Sequence, residues 1–235
     1  NWCADNKTGN SKSMTPFKNW AKNLFFLLVY ILSGGALIVI IEGLISGTEL
    51  TPFNTAIETV IVSLRQPELT TFMIWVTNVA NPYVLAFASV FLAIVLLIHK
   101  DTYDALLYVV SIIIAFLALF ILKDTFHMAR PDAALIGISG WSFPSGHATI
   151  STAFFFTTAY SFFDWTKTAL SKTFLVVGCI VGGGLISFSR IYLGAHWSLD
   201  ILAGVALGLL SVSFVALIFN IFLEEKGVFK RKRRS

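Results

Sequence analysis

The chain has 235 residues, of which 56% are hydrophobic and only 13% charged, with a mean hydropathy of +0.79. Soluble domains carry about 25% charged residues, so this composition excludes an ordinary soluble fold and points to a polytopic membrane protein. The formal charge of +4 sits in the tails and short connectors rather than on one basic face, which argues against nucleic acid as a partner. Two cysteines, Cys3 in a polar tail and Cys179 in an apolar run, form neither a disulfide framework nor a zinc pattern.

In chain order, residues 1–23 are polar, carry Lys7, Lys12, Lys18 and Lys22, and lead to an interfacial Trp20. The first predicted span is Leu24–Ile45, too long and without the small-residue cleavage site of a signal peptide. Gly34, Gly35 and Gly43 read as helix-packing positions, and Glu42 lies close enough to the span's end to reach the interface. From Ser46 to Trp75 the chain is less apolar, and Phe53, Ile57, Val60, Ile61 and Leu64 recur at helical spacing. They predict an amphipathic helix lying in the interface. The second span is Val76–Ile98, interrupted near Asn81-Pro82, and His99-Lys100-Asp101 makes a polar turn. The third span, Ala105–Leu122, runs into Lys123, and a loop covers Asp124–Ser142. The fourth span is His147–Phe163, followed by a polar connector at Asp164–Lys172. The fifth is Thr173–Phe188, with Gly182, Gly183 and Gly184 as a packing site, and the sixth is Leu199–Leu223. The predicted architecture is all-α: a six-helix transmembrane bundle over 24–223, a cytoplasmic polar tail at 1–23 and a basic cytoplasmic tail at 224–235.

Charge orients this layout. Six alternating spans put 1–23, 99–104, 164–172 and 223–235 on one side, and these segments hold thirteen of the seventeen lysines and arginines. The positive-inside rule makes that side, with both termini, cytoplasmic. The remaining cations are Arg65, Lys123, Arg130 and Arg190. The last three belong to three polar patches that all fall on the outer face. The run from Lys230 to Arg234 suits anionic lipid on the inner face.

The patches are Lys123 to Arg130-Pro131, Pro144-Ser145-Gly146-His147, and Ser189-Arg190 to His196 and Asp200. Their chemistry suits a phosphate ester, which needs charge neutralisation, an in-line nucleophile and a proton for the leaving oxygen. Lys123, Arg130 and Arg190 can neutralise phosphoryl oxygens, the arginines in bidentate fashion. Ser145 and Gly146 open a helix whose N-terminal N–H groups favour an anion. Asp200 follows His196 by four residues and can fix its tautomer, which makes His196 the nucleophile and His147 the acid. Any one of these residues alone is most simply a hydrogen-bonded or snorkelling interface group. Together, on one membrane face, they are costly without a function. His127 and Asp132 could tune head-group choice but read more simply as loop polarity, and Tyr192 and Trp197 read as interface aromatics or packing residues.

With these spacings the chain resembles the type-2 phosphatidic acid phosphatase superfamily. The resemblance rests on Lys123/Arg130-Pro131, Pro144-Ser145-Gly146-His147 and Ser189-Arg190/His196/Asp200, three motifs that each match without gap or substitution and together extend from Lys123 to Asp200. It implies a six-helix bundle and metal-independent hydrolysis through a phosphohistidine on His196, with no cofactor. It also implies His147 as proton donor, Asp200 orienting His196, and Lys123, Arg130, Ser145, Gly146 and Arg190 holding the phosphate. The short chain looks most like bacterial members, which act on phosphatidylglycerophosphate, phosphatidate, undecaprenyl diphosphate or lipid A phosphates. Vanadate would inhibit as a transition-state mimic rather than serve as a cofactor. The expected partners are a lipid phosphate and membrane lipids, with no obligate protein partner, in a bacterial inner membrane with the site facing outward. The same phosphohistidine could instead serve a phosphotransferase. A transporter or scaffold would call for repeat symmetry, which the sequence lacks.

Overall fold

The computed structural model describes residues 16–47 and 50–224, so the far N-terminal lysines and the basic C-terminal run lie outside the described residues. Among the described residues eight α-helices follow one another: α1 (Pro16–Ile45), α2 (Leu50–Ser63), α3 (Pro67–Val79), α4 (Pro82–Ile98), α5 (Thr102–Phe126), α6 (Gly146–Phe162), α7 (Ala169–Tyr192) and α8 (Ser198–Ile218). A single 3-10 turn at Phe163–Trp165 and a π turn at Phe219–Glu224 complete the order. Among the described residues there is no strand.

Helix boundaries follow local chemistry. Pro67 and Pro82 occupy first-turn positions of α3 and α4, where a missing N–H costs nothing. Asn81 caps α4 by accepting from the Tyr83 N–H at 2.9 Å. Thr168 and Ser171 close a reciprocal cap on α7. His127 ends α5 in the left-handed region, φ 45°.

Among the described residues four helices are long and apolar enough to cross a membrane: Trp20–Ile45, Thr102–Phe126, Ala169–Tyr192 and Ser198–Ile221. The pair α3–α4 passes the same test jointly, bent by 48° at its break, and raises the number to five. The chain is therefore a multi-pass membrane protein. The stretch expected as one interfacial helix over 46–75 is two helices. The chain turns at Leu64–Gln66 because Pro67 cannot continue α2, and α3 runs on into what was expected to be the second span. That span is broken at Ala80–Asn81, where Asn81-Pro82 suggested an interruption. The first helix also begins before Leu24, taking in residues assigned to the tail. α5 and α7 outrun their predicted ends, so Lys123 and Arg190 are helical residues.

α8 is the central staff, packed by α1, α5 and α6. Its contact with α6 is backbone-close. A Cβ on Gly204 would lie 2.7 Å from the Ser145 carbonyl oxygen, and one on Gly208 would lie 2.6 Å from that of Thr149. This is a small-xxx-small seam of the kind that lets membrane helices touch. Among the glycines singled out from sequence, Gly182 does pack tightly, its Cβ position 2.7 Å from the Phe155 ring. Gly35 and Gly184 face open space.

Candidate active site

The three patches meet at one end of the bundle, because α5, α6, α7 and α8 alternate in direction. Lys123 closes α5 and Arg190 closes α7, while Ser145 caps α6 and Asp200 lies in the first turn of α8. The Gly204 contact and a bond from the Ser145 N–H to the Asp200 carbonyl, 3.0 Å, hold the starts of α6 and α8 together.

His196 and Asp200 form the core of the cluster, 4% and 1% exposed. The expectation put them on one helical face. In the structure His196 lies just ahead of α8, and the pair meets across the helix N-terminus, Nδ1 to Oδ2 at 3.4 Å. The same Oδ2 accepts from the Trp197 N–H at 2.9 Å and from the Ser142 hydroxyl. Asp200 is thus fixed by three donors and by the positive end of α8. Because a carboxylate only accepts, Nδ1 of His196 carries the hydrogen and Nε2 keeps its lone pair.

Facing that lone pair is Arg130, whose Nη1 is 3.3 Å from His196 Nε2. Its guanidinium is held in place by the carbonyls of Ala195 (2.6 Å), Gly140 (2.9 Å), Trp141 (3.1 Å) and Ser139 (3.4 Å). Lys123 donates to the carbonyls of Trp141 and Ser142 at 2.7 and 3.3 Å. Arg190, 4% exposed, donates from Nη1 to the Thr77 hydroxyl at 2.7 Å, and its buried Nε–H has no partner among the described residues. His147, half-buried near the start of α6, donates from Nε2 to the Thr77 carbonyl at 3.3 Å. Ser145 is fully buried and its oxygen accepts from the Ala148 N–H at 3.5 Å. At Gly146 a Cβ would stand 3.3 Å from Leu119, so the α6 terminus has little room for a side chain there.

Burial lowers the His196 pKa to about 4; the hydrogen bond and charge of Asp200 oppose the shift, and the charges of Arg130 and Arg190 add to it. The ring is neutral at pH 7. Burial also depresses the Arg130 pKa, against the pull of Asp200.

All eight residues expected in the site lie in or beside this cluster. Sequence reasoning missed Ser142, Thr77 and Arg65. Ser142 stands two residues before Pro144-Ser145-Gly146-His147, but its burial and its bond to Asp200 are visible only in the fold. Arg65, the one cation expected on the outer face that belonged to no patch, staples the loop at Ala133 to the end of α7 through the carbonyls of Ala133 (3.0 Å) and Tyr192 (3.1 Å). Beside it Gly194 turns with φ +66°, where a Cβ would strike the Ala133 carbonyl oxygen at 2.7 Å. His127 packs edge-on against Trp141 with ring centroids 4.8 Å apart. Asp132 lines an open cleft of about 410 Å³ with Glu58, Thr59, Val62, Ala133 and Trp197. Glu42 is exposed on α1. Among the described residues no three of His, Cys, Asp and Glu gather as a metal site.

Comparison with known proteins agrees with this picture. The family model of the PAP2 superfamily matches residues 104–223. The chain is 33% identical over 160 residues to phosphatidylglycerophosphatase B of Bacillus subtilis, covering 67% of this chain and 78% of that protein. It is 32% identical over 91 residues to an undecaprenyl-diphosphatase of Sulfolobus acidocaldarius, covering 39% of this chain and 37% of that one. In fold it is similar to the crystal structure of a transmembrane PAP2-type phosphatidylglycerolphosphate phosphatase from Bacillus subtilis. The TM-score is 0.67 and the identity 24%, over 92% of this chain and 100% of that one. The chain belongs to the PAP2 superfamily.

Proposed function

We propose that this membrane lipid phosphatase hydrolyses a phosphomonoester or diphosphate head group, with phosphatidylglycerophosphate and undecaprenyl diphosphate as the leading substrates. The observation that carries the reading is the pairing at His196, with Asp200 on Nδ1 and the Arg130 guanidinium against Nε2. Nε2 is a neutral nucleophile, and positive charge already stands where phosphoryl oxygens would lie. The named activities of the relatives supply the substrate class.

In the first half-reaction the Nε2 lone pair forms a bond to phosphorus while the bond to the lipid oxygen breaks. His147 delivers the proton that oxygen needs. Asp200 stabilises the positive charge that develops on the His196 ring. Arg130, Arg190, Lys123, the Ser145 hydroxyl and the N–H groups at the start of α6 hold the phosphoryl oxygens. In the second half water attacks phosphorus, His147 takes its proton, and the nitrogen–phosphorus bond breaks to release inorganic phosphate. No step calls on a metal.

The proposed topology has six crossings: α1, the bent pair α3–α4, α5, α6, α7 and α8, with α2 at the interface. α6, with 17 residues, spans about 25 Å, short of a full hydrocarbon core and supplemented by the turn that follows it. The site then opens to the outer side of the inner membrane, with both termini in the cytoplasm.

The test is phosphate release in detergent, with EDTA present, from phosphatidate, phosphatidylglycerophosphate, undecaprenyl diphosphate and a lipid A phosphate. Release by the wild type, lost in His196→Ala and inhibited by orthovanadate, is the expected result. Full release by folded His196→Ala would sink the mechanism. Label recovered on an acceptor lipid instead of as free phosphate would assign phosphotransfer.

A further inference from the structure

The structure assigns Thr77 as a positioning residue that joins an anion-holding arginine to the proton donor, and so gives the break between α3 and α4 a purpose. The inference rests on the roles proposed above for Arg190 and His147. Thr77 lies outside the stretch that matches the family, residues 104–223, and is 3% exposed.

Its two oxygens serve different partners. The hydroxyl accepts from Arg190 Nη1 at 2.7 Å, and the carbonyl accepts from His147 Nε2 at 3.3 Å. In an unbroken α-helix the Thr77 carbonyl would be taken by the N–H of residue 81. Here α3 stops at Val79, and the Asn81 N–H turns back to the Asn78 carbonyl at 3.4 Å. Pro82, which has no N–H, then starts α4. The break frees one carbonyl, and His147 takes it.

The consequences are specific. A carbonyl can only accept, so Nε2 of His147 keeps its hydrogen in the neutral ring and in the imidazolium alike. The proton delivered to the leaving oxygen is the second one, carried at Nδ1 when the ring is charged, and Nδ1 is the atom that later takes the proton from water. The hydroxyl satisfies one arm of a buried guanidinium whose Nε–H is unpartnered. That fixes the plane in which Arg190 meets an anion, since a guanidinium binds in a fixed fork geometry.

Two measurements on the full chain in detergent micelles test the assignment. The first is orthophosphate affinity, read from the shift in unfolding temperature, for wild type, Thr77→Val and Thr77→Ser. Thr77→Val keeps the shape and loses the hydroxyl; about tenfold to hundredfold weaker binding is expected, the range for one hydrogen bond to a charged group. Thr77→Ser is expected to bind as the wild type does, and KM for the lipid to move in parallel while kcat changes less. The second is the nitrogen NMR spectrum of His147 in the wild type, which needs no variant to fold and is expected to give the Nε2–H tautomer. Undiminished phosphate affinity in Thr77→Val, equal loss in Thr77→Ser, or an Nδ1–H tautomer overturns the proposal. A wild type that binds orthophosphate yet releases none from any lipid would sink the phosphatase reading alone, and the Thr77 comparison would still stand or fall on binding.

Discussion

An imidazole can attack phosphorus only through a free lone pair, and at His196 burial secures it. With the pKa near 4, His196 stays neutral across pH 5 to 8 and loses its lone pair only as the pH falls through about 4. The His196 ring resonances are therefore expected to titrate near pH 4, and a midpoint between 6 and 7 would contradict the geometry. Asp200→Asn removes the partner that opposes this shift, so the midpoint moves still lower. In the proposed mechanism it also removes the charge that would stabilise a phosphorylated ring, and kcat is expected to fall about a hundredfold or more. Ser142→Ala takes away one charge-assisted hydrogen bond to Asp200; about 1.5–3 kcal/mol of restraint is lost, and kcat/KM should drop at least tenfold with His196 intact. The signature residues were legible because their spacings are local. Ser142 and Thr77 were not, since their bonds to Asp200 and Arg190 cross 58 and 113 positions of sequence, and no periodicity encodes such a distance.

The helices themselves were legible, because long apolar runs admit little else in a membrane. Their packing was less so. Gly34, Gly35 and Gly43 were singled out by composition, yet the seam that aligns the site is Gly204 with Gly208 on α8. Only the partner helix distinguishes these from other glycines, and the partner is α6, many residues upstream. Adding a methyl group at either position drives it into a carbonyl oxygen, and overpacking of this kind costs about 1–3 kcal/mol. Gly208→Ala is expected to lower the unfolding temperature with modest change in KM. Gly204→Ala, which presses on Ser145 itself, should lower both stability and phosphate affinity. Equal activity and stability in both variants would show that α6 and α8 can separate without cost to the site. The element-scale miss at 46–75 has a plain cause: Pro67 sits within an amphipathic pattern, and a break that starts a new helix preserves helical spacing on both sides.

At the scale of the whole molecule the two ends of the bundle have different chemistry. One end carries the site, with Lys123, Arg130, Arg190 and Arg65 all bonded to carbonyls or hydroxyls. The other end gathers Lys22 against the rings of Tyr103 and Tyr160, and His99 against Trp165. It also holds the exposed connector with Lys167. At the second end Lys22 is half-buried against aromatic rings and Lys167 is exposed, whereas the cations at the first end belong to the candidate site or, for Arg65, to its frame. The positive-inside rule, applied to the cations of the second end alone, therefore predicts that this end faces the cytoplasm. In a cysteine-free background, Asp132→Cys beside the cleft should react with a membrane-impermeant maleimide in intact cells. Lys167→Cys should react only after the membrane is opened. The reverse pattern would place the site in the cytoplasm, where it would meet lipid phosphates on the leaflet that makes them. The labelling result thus fixes the membrane face on which the site opens, and with it the leaflet whose head groups the site meets.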